Sequence, residues 1–375
     1  MDESSLPGDR QARQEAFWGC IQERVQQMVT QLIETTLNIE QKVRLAAGWN
    51  ERTDRRRGYR NGSYRRRLTT PHGPLSVAVP RCRKGGLDCG LIFDRYQRRI
   101  ADVDRILRHA YLLGCSTRAT AQLGEQVFGS TLSHQTVSQL TRWLDEQLAA
   151  WRREPIRPVF NVVYLDGMYV KTYEGTRVVT LAMGQTPFGD RQVLGFTTHP
   201  GETAFDLLKD LRNRGLDNVE LFLRDDSGPL QAAIEQIYPE AMQQSCCFHK
   251  VMNLRRDIGH TEFQRDMVRQ ACRIFRAPSK LAAVDAAKQW IGLWRTVAPQ
   301  AVARFADRLA DSLTFYEFPK DQWRRLRTNN PMERLIRTLR MRLRPMGAFH
   351  DIPAVERAVF GQLLRWHKIK LTHNC

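Results

Sequence analysis

Apolar residues recur at helical spacing from Gln11 to Ala47, as in Ile21, Val25, Met28, Val29 and Leu32, with acids and glutamines between. This predicts an N-terminal helical segment over residues 1–50. The pattern then changes: Tyr59, Gly62 and Tyr64 lead into the alternating stretch Leu75 to Val79, so Arg52 to Lys84 reads as a basic hairpin within an Arg-rich segment over residues 51–100. Helical spacing returns from Val103 to Trp151. There Ile106, Tyr111, Leu112 and Leu113 precede Gly114, Ser116 opens a second helix that ends at Phe128-Gly129, and Ser133 caps a third that runs through Leu148. Helix, glycine turn and helix over residues 101–155 form a helix-turn-helix pattern.

Beyond the break Glu154-Pro155-Ile156-Arg157-Pro158, runs with strand character follow one another: Phe160 to Tyr173, Thr176 to Gly184 and Arg191 to His199. A helix from Thr203 to Arg214, a strand Val219 to Arg224, a helix Pro229 to Tyr238, a strand Gln243 to Phe248 and a helix from His249 complete the order βββαβαβα. That order predicts an α/β protein with a mixed sheet flanked by helices, as in a ribonuclease H-like core, with residues 156–261 its first part. Residues 262–320 read as an all-helical insertion in which Trp290 and Trp294 share one side, read as helix packing with base stacking the alternative. Residues 321–375 complete the core with a helix carrying the apolar stripe Ile336, Leu339, Leu343 and Met346, and a C-terminal helix.

Composition narrows the partners. A chain of 375 residues has room for two or three domains, and 58 Lys and Arg against 40 Asp and Glu leave a formal charge of +18. Such an excess favours a polyanion, with nucleic acid the leading candidate. No apolar run approaches the roughly 18 residues of a membrane span, and Met1 to Thr30 lack the basic start and apolar stretch of a signal peptide. Eight cysteines, at 20, 82, 89, 115, 246, 247, 272 and 375, form no CxxC pair and read as reduced thiols of a cytoplasmic protein.

Between Arg52 and Lys84 there are eleven Lys or Arg and one acid, Asp54. Arg55, Arg56, Arg57, Arg60, Arg65, Arg66, Arg67 and Arg81, interleaved with Tyr and Gly, read as phosphate contacts rather than a merely solvated face. Arg118 and the polar residues His134, Gln135, Ser138, Gln139 and Arg142 are the candidate groove contacts, and a plain helical bundle is the alternative.

Three acids could carry chemistry. Asp166 lies inside the apolar run Val162-Val163-Tyr164-Leu165, where a charge is costly unless paired or bound to metal. Asp225 ends Leu221-Phe222-Leu223-Arg224 in the same way, although strand-end acids also cap helices. Glu333 follows Asn330-Pro331-Met332, where Asn330 as N-cap and Glu333 at the third position would make a capping box. The same helix sets Arg337, Arg340 and Arg344 near the Glu333 face, as suits a site for metal and phosphodiester.

Tyr59-Arg60-Asn61-Gly62, Val79-Pro80-Arg81, Gly114-Cys115-Ser116-Thr117-Arg118, Tyr164-Leu165-Asp166-Gly167, Cys246-Cys247-Phe248-His249-Lys250 and Thr328-Asn329-Asn330-Pro331-Met332-Glu333-Arg334 together resemble bacterial transposases of the Mutator type, the IS256 group of insertion sequences. The resemblance covers Arg52 to about His367 and implies a triad of Asp166, Asp225 and Glu333 on a ribonuclease H-like fold, with an insertion before the glutamate. Where the family usually has Gly after its second aspartate, this chain has Asp226; counting back from Ala233-Ile234 selects Asp225, with Asp226 the fallback. Carboxylate ligands imply two Mg²⁺ or Mn²⁺ ions and nicking at element ends followed by transfer of the 3′-hydroxyl. The implied partners are double-stranded DNA, as terminal inverted repeats and target, and a second copy of the chain, in the bacterial cytoplasm at the nucleoid. Asp226, Cys246, His249, Asn330, Arg334 and Arg337 are expected as neighbours of the site. Cys246 and His249 alone do not make a zinc site, and His260 or Cys272 would complete one at spacings that match no strong pattern. Three other readings stand beside this one: a transposase-derived regulator without chemistry, a host nuclease or resolvase on the same fold, and a recombinase using Tyr316 with Arg324, Arg325 and Arg327.

Overall fold

The helical periodicity at the start of the chain becomes the 36-residue helix α1 (Arg10–Leu45). The computed structural model describes residues 10–83, 87, 89–90, 92–198 and 204–366, and the chain divides into two compact units, Met1–Thr141 and Arg142–Cys375. The expected boundaries at Lys84, His199, Thr203 and His367 lie outside the described residues.

In the first unit an antiparallel hairpin, β1 (Arg60–Thr70) and β2 (Gly73–Cys82), packs on α1. Leu75, Val77 and Val79 point inward with Leu37 of α1, Leu68 and Phe93, while Ser76 is exposed, the alternation of a half-buried strand. Arg60 pairs with Cys82 and Ser63 with Pro80, leaving one extra residue on β1; Gly62, at φ 69°, supplies the left-handed backbone this bulge uses.

Three helices follow: α2 (Ala101–Leu112), α3 (Thr117–Phe128) and α4 (His134–Leu140). Ser116 caps α3 by accepting from the Ala119 N–H, Ser133 caps α4 by accepting from Thr136, and Gly129 closes α3 at φ 59°. Val103, Leu107 and Phe128 form their small core with Leu132 and Leu140. The third helix stops at Leu140 instead of reaching Leu148. The Thr141 N–H is shared between Val137 and Ser138 carbonyls, and its hydroxyl donates to Ser138, which tightens the last turn.

The second unit begins with α5 (Trp143–Arg153) and the strands β3 (Val162–Thr172), β4 (Gly175–Gln185) and β5 (Arg191–Thr197). Then come α6 (Ala204–Asn213), β6 (Leu221–Arg224), α7 (Gly228–Ile237), β7 (Met242–Ser245) and α8 (Cys247–Ile258). The sheet order is β5-β4-β3-β6-β7, with β4 antiparallel to β3 and β5, and β6 and β7 parallel to β3. This is the mixed sheet flanked by helices that the order of strands and helices predicts. One face buries Val163, Leu165, Ala182, Leu194 and Phe222 against Leu207, Leu208 and Leu211 of α6 and Ala233, Ile234 and Ile237 of α7.

Strand β7 ends at Ser245, three residues before the expected Phe248. The Cys247 N–H turns away to the Arg327 carbonyl, and the Cys246 carbonyl accepts the first helical bond, from Lys250. The insertion consists of α9 (Gln264–Ile274), α10 (Lys280–Trp294), α11 (Pro299–Ala306) and a 3-10 segment Leu309–Glu317. Trp290 is buried against Phe305 and donates to the Met267 carbonyl, and Trp294 donates to Gln270, so both tryptophans hold helices together. The chain closes with α12 (Trp323–Leu326), α13 (Asn330–Leu343), which packs on β3, and α14 (Ile352–Trp366), which packs on α5 and α13.

Candidate active site

Tyr164 of β3 stands opposite Leu223 of β6. Two residues further on, Asp166 is still within β3 and Asp225 stands just past the end of the parallel β6, near enough to act on Asp166 electrostatically. Alternation places Asp166 on the face away from Val163 and Leu165, the side free of the α6 and α7 core. Asp166 is only 8% exposed and accepts the Gly167 N–H at 2.7 Å. Burial pushes its carboxyl up to about 6; the Gly167 bond and His249 pull against this, and the nearby Asp225 and Glu333 add to it. Burial raises Asp225 as well, and its Oδ1 is buried without a hydrogen-bond partner.

The neighbouring Asp226 is held differently. It accepts from the Lys250 ammonium at 2.9 Å, and Lys250, 2% exposed, also donates to the Asp307 carbonyl. Beneath this loop Arg224 is fully buried and fans out to Gln243, the Asp225 carbonyl, Ser245 and Asp311. Asp226 and Arg224 are thus satisfied within the protein, and Asp225 keeps a free oxygen.

Glu333 comes from the first turn of α13. The N-cap is Asn329, not Asn330, and its side chain makes no cap bond. The Asn329 amide instead donates to the Leu165 carbonyl at 3.0 Å, and its backbone N–H donates to the Cys246 sulfur at 3.3 Å. Only the Asn329 carbonyl serves the helix, accepting the Glu333 N–H. The capping box is therefore absent, and Glu333 Oε1 is left buried and unpartnered. It lies 3.9 Å from His249 Nε2. Ligand atoms of Cys246, His249 and Glu333 all fall within 4.8 Å of one another, and this is the only such group of potential metal ligands among the described residues. The third member is thus Glu333, and neither His260 nor Cys272. A hydrogen bond with Cys246 raises His249 to about 9, helped by Asp166 and Glu333 against the opposing effect of burial.

The predicted basic residues divide by what they touch. Arg340 and Arg344, with Lys171, line a groove of about 810 Å³ floored by Met168, Leu343 and Phe349; Asn330, Arg334 and Arg337 are exposed on α13. In the first unit Arg60 is bound to Gln41 and to the Ala47 and Gly48 carbonyls, and Arg66 to the Asp94 and Gln97 carbonyls while stacking 4.1 Å over Phe93. Both are structural. Arg56 and Arg81 sit over Tyr59 and Tyr64, and Arg65 makes a long bond to the Ser76 carbonyl. Arg55, Arg57 and Arg67 are exposed, as are Arg118, His134, Gln135 and Arg142. Tyr316 is buried with its hydroxyl bonded to the Ile274 and Ala277 carbonyls, unlike a nucleophile.

Arg224, Lys250 and Asn329 are parts of the site that sequence reasoning passed over. Arg224 carried a signal as a cation closing an apolar strand, and the other two stand inside quoted motifs; their partners lie in distant segments.

The family model described as "Transposase, Mutator family" matches residues 6–368. The transposase for insertion sequence element ISRM5 of Rhizobium meliloti is 30% identical over 92% of this chain and 88% of that one. The transposase for IS406 of Burkholderia multivorans is 31% identical over 88% and 87%, and that for IS905 of Lactococcus lactis 29% over 82% of each. Among the described residues no helix is long and apolar enough to cross a membrane.

Proposed function

This chain belongs to the Mutator family of transposases, and on that premise we propose that it binds the terminal inverted repeats of its own insertion sequence and catalyses cation-dependent cleavage and strand transfer. Asp166, Asp225 and Glu333 are the carboxylates that receive the cations. The observation that carries this reading is that Asp166, buried in β3, feels the charges of both Asp225, just past the end of β6, and Glu333 on α13, the latter two each keeping a buried oxygen without a partner. An all-oxygen set fits Mg²⁺ or Mn²⁺. When bound, a pair of such ions supplies activation of water or a 3′-hydroxyl and stabilisation of the leaving oxygen.

The protein's own groups do the rest. Lys250 holds Asp226 aside, Arg224 anchors the Asp225 loop, and Asn329 ties the Glu333 helix to the strand of Asp166. Lys171, Arg340 and Arg344 line the adjoining groove and receive phosphates. In the first unit Arg55, Arg57 and Arg67 add sequence-independent phosphate contacts, and α3, the Gly129 turn and α4 act as a helix-turn-helix that presents His134 and Gln135. Joining two element ends requires at least two chains on DNA.

The test is cleavage and joining of labelled duplex carrying the ends of its element, with Mg²⁺ or Mn²⁺, for wild type and Glu333→Gln. Metal-dependent nicks and joined products from wild type alone are expected. Binding by both proteins without cutting would favour a regulator that has lost its chemistry, and nicking that survives Glu333→Gln would remove that residue from the cation set.

A further inference from the structure

We propose that Cys246, His249 and Glu333 form a site for a thiophilic divalent cation of the zinc class, and that filling it withdraws Glu333 from the carboxylates that take hard cations. The second half rests on the role given to Glu333 above; the first half does not.

The donor set is a thiol, an imidazole and a carboxylate, the three ligand types zinc accepts. Cys246 at the N-cap of α8 and His249 three residues on lie on one side of that helix's first turn. Glu333 faces them from α13, and all three ligand atoms lie within 4.8 Å. Metal–ligand bonds of about 2.0–2.3 Å set ligand atoms roughly 3.3–3.8 Å apart in a tetrahedron. The His249–Glu333 pair, at 3.9 Å, is already near that spacing, and the widest pair has to close by about 1 Å, within the reach of a side-chain rotation.

Three further features favour a cation here. Glu333 Oε1 is buried without a hydrogen-bond partner and faces His249 Nε2 at 3.9 Å, an arrangement that costs free energy unless something fills it. The Cys246 sulfur, 1% exposed at the residue level, receives the Asn329 N–H at 3.3 Å, which fixes its place at the start of α8. That contact also joins the start of α8 to the start of α13, so the ligands are held on rigid elements. Three protein ligands leave a fourth position open. Ligand softness then sorts the cations: a thiolate site discriminates against Mg²⁺, and an all-oxygen site does not select for zinc.

The experiment is titration of the full-length protein, free of DNA, with Co²⁺ followed by absorption spectroscopy. A thiolate-to-cobalt charge-transfer band saturating at one equivalent, and lost on adding Zn²⁺, is expected from wild type. Cys246→Ser should abolish the band. His249→Gln and Glu333→Gln should each weaken Co²⁺ binding at least about tenfold, since even outer-shell changes weaken metal sites by about that factor. Circular dichroism and metal-free melting report whether each variant folds; should Cys246→Ser not fold, the other two carry the test. A wild type without the sulfur band, or a band that persists in folded Cys246→Ser, overturns the site. In the cleavage assay, one equivalent of Zn²⁺ should depress Mg²⁺-supported nicking at least about tenfold by the same ligand-loss argument, and unchanged nicking with the cobalt band present overturns the competition. A protein that shows the band and never nicks keeps the site and loses the transposase reading; one that nicks without the band does the reverse.

Discussion

Asp166 is a carboxylate whose charge the fold works against, and its replacement by Asn should stabilise the metal-free protein while abolishing cleavage. Its folded value near 6 stands above the 3.8 of an unstrained carboxyl. Between those two values the unfolded chain has released its proton and the folded chain has kept it, so stability falls as pH rises through that window. A shift of about 2 units at about 1.4 kcal/mol each makes the ionised group cost roughly 3 kcal/mol above pH 7 and nothing below pH 4. Asn keeps the acceptor for the Gly167 N–H and removes the charge. In a unit of this size that corresponds to a melting temperature higher by roughly 6–12 °C. Melting of wild type and Asp166→Asn in chelator at pH 8 and pH 4 measures it: a large advantage at pH 8 that vanishes at pH 4 is expected. Adding Mg²⁺ should raise the wild-type transition and leave the variant unmoved, because an ion that binds only the folded state stabilises it. An Asp166→Asn variant no more stable than wild type at pH 8 would mean that its neighbours already compensate the charge, and the argument from buried acids would fall.

Asp225 and Asp226 should respond in opposite directions. Asp225→Asn removes a charge that burial disfavours and should raise metal-free stability while stopping cleavage, whereas Asp226→Asn strands the buried Lys250 and should cost about 3 kcal/mol by urea denaturation; equal effects would refute the assignment of the catalytic acid to Asp225. Replacing Arg55, Arg57 and Arg67 together by Ala should weaken DNA binding and reduce the slope of log affinity against log salt by about 2–3, while Arg60→Ala, which frees the Gln41, Ala47 and Gly48 contacts, should lower the melting temperature of the first unit instead. Asn329→Ala removes a fully buried amide bonded to the Leu165 carbonyl and should cost about 1–3 kcal/mol; it should also raise the Mg²⁺ concentration that half-activates nicking, and an unchanged metal requirement would make Asn329 merely structural.

What could be read from the sequence was whatever a local pattern encodes, and what could not was whatever depends on two distant segments meeting. The strand order follows from alternation and apolar runs, each a matter of a few adjacent residues, and Ser116, Ser133 and Gly129 mark helix ends because caps act within one turn. Local rules also misled. Asn330-Pro331 before Glu333 has the form of a capping box, but Asn329 takes the cap position because its side chain has a better use 164 residues away, on the Leu165 carbonyl. The same non-local bond explains why Cys246 and His249 lacked a third ligand in the sequence: Glu333 reaches them only after the whole helical insertion has been spanned and Asn329 has fixed α13 to α8 and β3 together. Arg60 and Arg66 make the complementary point, since a run of arginines reads as one phosphate surface until the fold assigns some of its members to backbone carbonyls. Charge counts therefore bound how many residues can meet DNA, and the hydrogen bonds each arginine already makes decide which of them remain to do so.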